Sequence, residues 1–357
     1  MRFALSEDQK LLAASVEKAL AELAPLERVR RFADQGETTA DDLWRGLTEL
    51  GLPGLLIDEE HGGLGLGLLE AALAAEQLGA AVAPAPFLGS AVLAPLALKL
   101  GGSEAARAKW LPKLAAGEAS AGIAIAEAVA GARDGAGVEA ADGRLTGKAL
   151  FVLDAPGADL LIVADRQGGL HLVETPPKAE AMASIDATRR LSEIVFKDTP
   201  ANALASNQAL CALRDAAWVM LAAETLGAAQ AMLDKAVAYA KERRQFGRVI
   251  GSFQAVKHLC AKMAAELEPA RALVWYAAYA FDHAPAEAPL MAAHAKAHLS
   301  EIGRFIARTS TEVHGGVGMT DLLGLHYWFK RIGQNRQLLG GPEKVREIAA
   351  RLQGLAA

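Results

Sequence analysis

The stretch YAKERRQFGRVIGSFQ, residues 239–254, decides how the rest of the chain is read. Upstream, residues 210–244 are helix formers throughout with no proline, as suits a buried helix. Gly247 and Gly251 break it, and Ser252 is placed to cap a second long helix. Arg243 and Phe246 lie three apart, so on a continued helix they share a face at its end. A guanidinium fork and an aromatic ring at the mouth of an interhelical turn suit a nucleotide, the first for phosphate and the second for adenine. The plainer alternative is a helix end whose basic residues complement the macrodipole.

Working outward, the helical texture continues over 252–283, 285–314 and 321–339, with a short helix from Pro342. Four long helices with short links predict an antiparallel bundle over 207–357. The region 119–206 has a different texture. GIAIAE, RLTGKALFVL, DLLIVAD, GLHLVET and SEIVFKD are short β-rich runs between Gly, Asp and Pro, which predict a domain of antiparallel strands. Residues 1–118 return to helices. Ser6 and Gln9 form a capping box, DLWRGLTEL is a second helix, and HGGLGLG (61–67) is a turn before an alanine-rich third. The fold class is α+β, mostly α: an N-terminal helical domain, a central β-domain and a C-terminal four-helix bundle.

Composition narrows the function. Of 357 residues, 52% are apolar, which places the chain among globular proteins and allows two or three domains. A net charge of −5 without a basic block argues against nucleic acid as a partner. The apolar region 64–100 is broken by Glu70, Glu76 and prolines, so membrane insertion is not expected. The first residues carry acids where a signal peptide needs an apolar run, and Cys211 and Cys260 read as reduced core residues. A cytoplasmic location is the expectation. His294 and His298 stand i,i+4 but lack a third ligand, so no metal is expected.

RxxFG at 243–247, followed by Gln254, resembles the flavin-adenine turn of the acyl-CoA dehydrogenase family. EVHGGVGMTD from Glu312 resembles that family's glycine-rich pyrophosphate loop, in the expected order. The resemblance extends over the whole chain. It implies FAD as cofactor, an acyl-CoA thioester as substrate, α,β-desaturation as the reaction and a place in fatty acid or steroid catabolism. Cofactor-binding residues would be Arg243, Phe246, Gln254, Glu312, Gly315, Gly316, Phe151 and Leu153. Electron-transfer flavoprotein is a possible redox partner by the same resemblance.

The reaction needs a carboxylate opposite the flavin to remove the α-proton. The two positions the family uses for it match Gly340 and Ala217, neither of which accepts a proton. Asp215 and Glu343 are the acids nearest in sequence. Hydroxyl donors are lost too: Ala126 and Ala132 or Arg133 replace them in AEAVAGARDG, Phe151 replaces a tryptophan, and Leu153 replaces a hydroxyl residue. Trp218 stands where an arginine is common, and Glu312 puts a carboxylate beside a diphosphate. The adenine-side residues survive. In this family each flavin lies between subunits, so a chain of this kind could complete a partner's site. DATRR (186–190) and the short LLGGPE end resemble the base-deficient subunits of bacterial steroid and bile-acid side-chain dehydrogenases, which are α2β2. Two alternatives stand beside that reading: a homo-oligomeric FAD enzyme with a displaced base, and a non-catalytic acyl-CoA-binding or scaffold protein.

Overall fold

The computed structural model describes residues 4–205 and 207–356. Six helices come first: α1 (Glu7–Leu23), α2 (Leu26–Asp34), α3 (Asp41–Glu49), α4 (Leu68–Ala80), α5 (Ala94–Gly101), entered through a wide turn at Leu88–Leu93, and α6 (Glu104–Ala115). The capping box holds at α1. Ser6 Oγ accepts from the Gln9 N–H at 3.2 Å, and Gln9 Oε1 accepts from the Ser6 N–H at 2.9 Å.

The central sheet runs through β1 (Ala121–Ala124), a one-turn helix α7 (Ala126–Ala130), β2 (Gly137–Ala141), β3 (Arg144–Leu153), β4 (Leu160–Ala164), β5 (Leu170–Val173), β6 (Ala179–Ala181), β7 (Leu191–Pro200) and β8 (Asn202–Ala205). Its order is β6-β7-β3-β1-β4-β5-β8, with β2 also on β3. The expectation of purely antiparallel strands needs correction, because β1 and β4 pair in parallel from Ala121↔Leu160 to Ala124↔Val163. The β2–β3 hairpin carries the chain across between them, which parallel neighbours require. Both strands are buried along their whole length, as the run LLIVA reflects.

The last part is α8 (Asn207–Glu242), a two-stranded ribbon of β9 (Arg244–Gln245) and β10 (Arg248–Val249), α9 (Gln254–His283), α10 (Ala288–His314), α11 (Leu325–Gln337) and α12 (Pro342–Leu352). α8 is long and apolar enough to cross a membrane, but 89% of its apolar window is buried against its neighbours. It crosses α4 at two facing glycines. A Cβ on Gly227 would stand 1.7 Å from the Glu76 carbonyl oxygen, and one on Gly79 would stand 2.0 Å from that of Glu224. The two backbones therefore touch, and only glycine permits it.

A buried charge cluster joins sheet, α8 and α11. Arg331 donates to Asp186 at 2.5 Å, to Glu224 at 2.5 Å, and to the Thr188 carbonyl and hydroxyl at 2.9 and 2.7 Å. Arg189 reaches both oxygens of Glu224 at 2.8 Å and Asn335 Oδ1 at 2.8 Å. Arg190 donates to the carbonyls of Phe32 and Glu37. Every polar side chain of DATRR is thus spent on holding the loop before β7 against three helices. Burial pushes the Glu224 carboxyl up, but Arg189 and Arg331 outweigh it and hold it near 2.

Three local expectations differ from the structure. α8 stops at Glu242, so Arg243 and Phe246 do not share a helix face. Phe246 (φ +52°) and Gly247 (φ +76°) instead form the two-residue turn of the β9–β10 ribbon, where both central residues take the left-handed conformation. Ser252 does not cap α9. Phe253 occupies the cap position, and the Ser252 hydroxyl donates back to the Val249 carbonyl at 2.7 Å. Cys211 and Cys260 are free thiols but only half-buried.

Candidate functional site

Two groups of predicted residues are brought together, in two different places. The first surrounds a cavity of about 260 Å³ between α7, β3, the 183–185 loop and the end of α11. Phe151, Leu191, Leu338 and Leu339 give it apolar walls, and Glu127, Arg133, Gln334 and Gln337 add polar groups. Phe151 sits at an irregularity in the β3–β7 pairing with φ +55°, and its N–H donates to Met182 Sδ at 3.2 Å. That local twist turns its ring to the cavity. Leu153 does not line the cavity. It is 1% exposed, paired with Leu191 on one side and Ile123 on the other.

Sequence reasoning missed Glu127, Gln334 and Gln337. Burial pushes the Glu127 carboxyl up, and one of its oxygens accepts from the Leu150 N–H at 2.6 Å. Gln334 is 7% exposed. Its amide nitrogen donates to Ser184 Oγ at 2.9 Å, while its carbonyl oxygen is buried with no hydrogen-bond partner. Such an acceptor calls for a donor from whatever fills the cavity. A flat ring with an N–H at its edge meets that need, and Gly131 and Gly333 leave open space for it. Arg133, exposed and 6.0 Å from the Phe151 ring centre, adds a guanidinium where a hydroxyl was lost.

The structure also places the two positions at which the resemblance expects a base. Gly340 lies in a loop with φ +108°, next to Leu339 at φ +55°. The Leu339 carbonyl accepts from the Trp218 indole at 2.8 Å, and Ala217 is wholly buried. Asp215 is 3% exposed and tied to Arg214 at 2.7 Å, and burial pushes its carboxyl up despite that arginine. Glu343 begins α12, is 72% exposed, and pairs with Arg336 at 3.1 Å. Neither acid lines the cavity.

The second group lies where α8, the β9–β10 ribbon, α9 and α10 meet. Tyr239 of α8 stacks on His314 of α10 with ring centres 4.7 Å apart, which sets the RxxFG turn beside the glycine loop. Phe246 is 91% exposed, edge-on to Phe253 at 6.1 Å, and Arg248 lies over the Phe253 ring at 4.0 Å. Arg243, Gln254, Glu312, Gly315 and Gly316 are also exposed, and nothing stands within 4 Å of a Cβ built on either glycine. None of these residues lines the cavity beside Phe151. The predicted residues therefore fall into two separate groups, one recessed and one presented outward.

Family models for the acyl-CoA dehydrogenase N-terminal domain match residues 6–118, and those for its C-terminal domain match 215–353. Acyl-CoA dehydrogenase IpdE2 of Mycolicibacterium smegmatis is 34% identical over 97% of this chain and 99% of its own length. The chain belongs to the acyl-CoA dehydrogenase family. Among solved structures, the Tcur3481–Tcur3483 steroid ACAD is similar at a TM-score of 0.88 and 29% identity, covering 98% of both chains. The ChsE4–ChsE5 complex of Mycobacterium tuberculosis is similar at 0.90 and 26%, covering 100% of both. PigA, solved with FAD and proline, is similar at 0.88 and 25%, over 99% of this chain and 100% of its own. Among the described residues no group of three or more His, Cys, Asp or Glu is placed to hold a metal, and His294 and His298 stand without a third ligand.

Proposed function

We propose that this chain is the base-lacking subunit of a hetero-oligomeric, FAD-dependent acyl-CoA dehydrogenase, acting on a steroid-type or fatty acyl-CoA. In this reading it presents Arg243, Phe246, Gln254, Gly315 and Gly316 to a flavin seated mainly in a homologous partner subunit. That partner supplies the glutamate. The carrying observation is the separation of the two half-sites combined with Gly340 and Ala217 at the base positions. A two-chain relative, the ChsE4–ChsE5 complex, supports the pairing.

Each residue has a physical task. The exposed Phe246 ring offers a flat apolar face to adenine, and Arg243 offers fork donors to the diphosphate. Gly315 and Gly316 let the backbone approach it. Glu312 opposes it by like charge, which weakens the contact unless a base on the partner neutralises that carboxylate. A bound FAD, held by these residues and the partner, would supply the hydride acceptor for the acyl β-carbon. The chain's own recess, walled by Phe151, Leu191 and Leu338 with the Gln334 carbonyl oxygen unpaired, could shelter a ring, but with Gly340 and Ala217 at the base positions it would carry out no proton abstraction there. Electron-transfer flavoprotein would be the redox partner in this reading, in the cytoplasm.

The test is to purify the chain alone and co-expressed with homologous acyl-CoA dehydrogenases, recording the flavin absorption band and dehydrogenation of acyl-CoA thioesters. The reading expects turnover only in a complex, abolished by replacing the partner's glutamate. Full turnover by this chain alone would refute it.

A further inference from the structure

A second cavity is larger than the one beside Phe151. It measures about 490 Å³ and opens between α3, residues 83–86 and the segment after β3, with no lining residue shared with the flavin-side cavity. Its size lies in the range of small-molecule sites. We propose that it is a second binding site, for a neutral molecule with an apolar ring body and a hydroxyl group.

Charge argues for a neutral occupant. Arg189 and Arg331 reach the cavity floor, but their donors are consumed by Glu224, Asp186, Thr188 and Asn335, and Arg190 is spent on two backbone carbonyls. At the rim, exposed Arg45 is offset by Asp41 and Glu118. Counted over the whole lining, the four arginines (Arg45, Arg189, Arg190, Arg331) are matched by four acids (Asp41, Glu118, Asp154, Asp159), so neither sign dominates. The walls between are mixed: Phe32, Trp44, Ala83 and Pro86 give apolar surface, and Thr38, Thr48 and Ser120 add hydroxyls.

Unmet hydrogen bonds argue for the hydroxyl. Trp44 is 9% exposed and its indole N–H has no acceptor among the described residues. A buried donor left unpaired is costly, and the side chain that carries it lines this cavity. Asp154 lines the same cavity, half-buried, with a single hydrogen bond: one carboxyl oxygen accepts from the Gly89 N–H at 2.8 Å. Its other oxygen is open to a donor. Burial pushes this carboxyl up to about 6, against the pull of Arg189, so it can accept from a hydroxyl or donate to one. A hydroxyl both donates and accepts, and can serve either residue. A ketone serves only the indole and the protonated acid. The site makes no use of the flavin half-sites and stands apart from the proposed subunit role.

The experiment titrates the full-length chain with borneol, a compact bicyclic alcohol, and with camphor, the ketone of the same skeleton, by ligand-observed NMR at pH 8. The expected result is saturable binding of borneol at least about tenfold tighter than camphor, since a site built for a hydroxyl discriminates against its absence. Asp154→Leu should erase that preference. Thr39→Trp, at an exposed rim position, should block both ligands while leaving the melting temperature unchanged, and it carries the test if Asp154→Leu does not fold. FAD should not displace borneol. Absence of saturable binding, equal affinity for the two ligands, full binding by Thr39→Trp, or displacement by FAD would each overturn the proposal.

Discussion

Replacing Phe246 by asparagine should move stability and flavin retention in opposite directions. The ring is 91% exposed and its backbone sits at φ +52°, a conformation that costs an ordinary side chain about 1–2 kcal/mol and that asparagine tolerates. Its one ring contact is edge-on with Phe253 at 6.1 Å, worth about 0.5–1.5 kcal/mol when packed and less when exposed. The two effects nearly cancel or leave the asparagine variant slightly ahead, so the isolated chain should melt within a few degrees of wild type or above it. In the proposed complex the ring would go from open solvent to contact with a nucleotide. Full burial of a phenylalanine contributes about 1.5–3 kcal/mol. Losing it should weaken FAD by about tenfold to about 150-fold. Thermal melts of the isolated chain and fluorescence titration of the deflavinated complex with FAD measure the two quantities. A variant complex that binds FAD as tightly as wild type refutes the placement of this turn at a flavin. So does a loss of more than about 2 kcal/mol in the isolated chain, which would make the ring a packing residue.

Gly227→Ala should destabilise by about 1–3 kcal/mol, because its Cβ would meet Glu76 backbone at 1.7 Å, whereas Gly333→Ala on α11 meets nothing within 4 Å and should gain up to about 1 kcal/mol; urea titrations would compare them. Glu224→Gln should cost about 3–5 kcal/mol at neutral pH by leaving Arg331 underpaired, read from the same titrations. Glu224 is held near 2 in the fold against 4.5 unfolded, so the unfolded chain binds the extra proton between those values. Stability from this group is therefore complete above about pH 4.5 and drains away towards pH 2, and the glutamine variant should show a shallower acid limb in pH-dependent melts. Glu127→Gln should leave turnover of the complex within a few-fold, since its carboxyl already accepts from Leu150; a loss of several orders of magnitude would make it the missing base.

What the sequence made legible was local. The α1 capping box, the proline-free run of α8 and the β-rich run of β3 are short-range patterns, and each became the expected element. The parallel pairing of β1 with β4 was not legible, because strand direction depends on a crossover and not on the residues of either strand. The turn at Phe246 was misread for a related reason: helix periodicity was extended through Arg243 when the chain had already reversed. Arg331, Glu224 and Asp186 lie 107 and 145 residues apart along the chain, so no window of sequence could disclose their cluster. The pairing of Trp44 with Asp154 around one cavity is hidden in the same way. Gln334 was missed for lack of a motif, since an unpaired carbonyl oxygen is visible only once its neighbours are placed.

The backbone around Gly340 bears on why the acid is missing. Leu339 and Gly340 both take positive φ, and the Leu339 carbonyl is fixed by the Trp218 indole. At φ +108° any side chain is strained, so a glutamate at 340 would have to refold the loop that Trp218 holds. Trp218 in turn is wholly buried and lies under the Arg214 guanidinium at 4.8 Å, with Arg214 committed to Asp215. Loop, indole, arginine and aspartate therefore form one packed unit that has no place for a mobile carboxylate facing a substrate. On the proposed reading, the absence of a base at 340 is a matter of how α8 packs against the 338–341 loop, and is not confined to one substituted position. The outward half-site shares none of that packing: Phe246, Gly315 and Gly316 stand free of it. A chain arranged in this way can lose proton abstraction and still serve a neighbour's nucleotide, because the two tasks are held by side chains that do not touch.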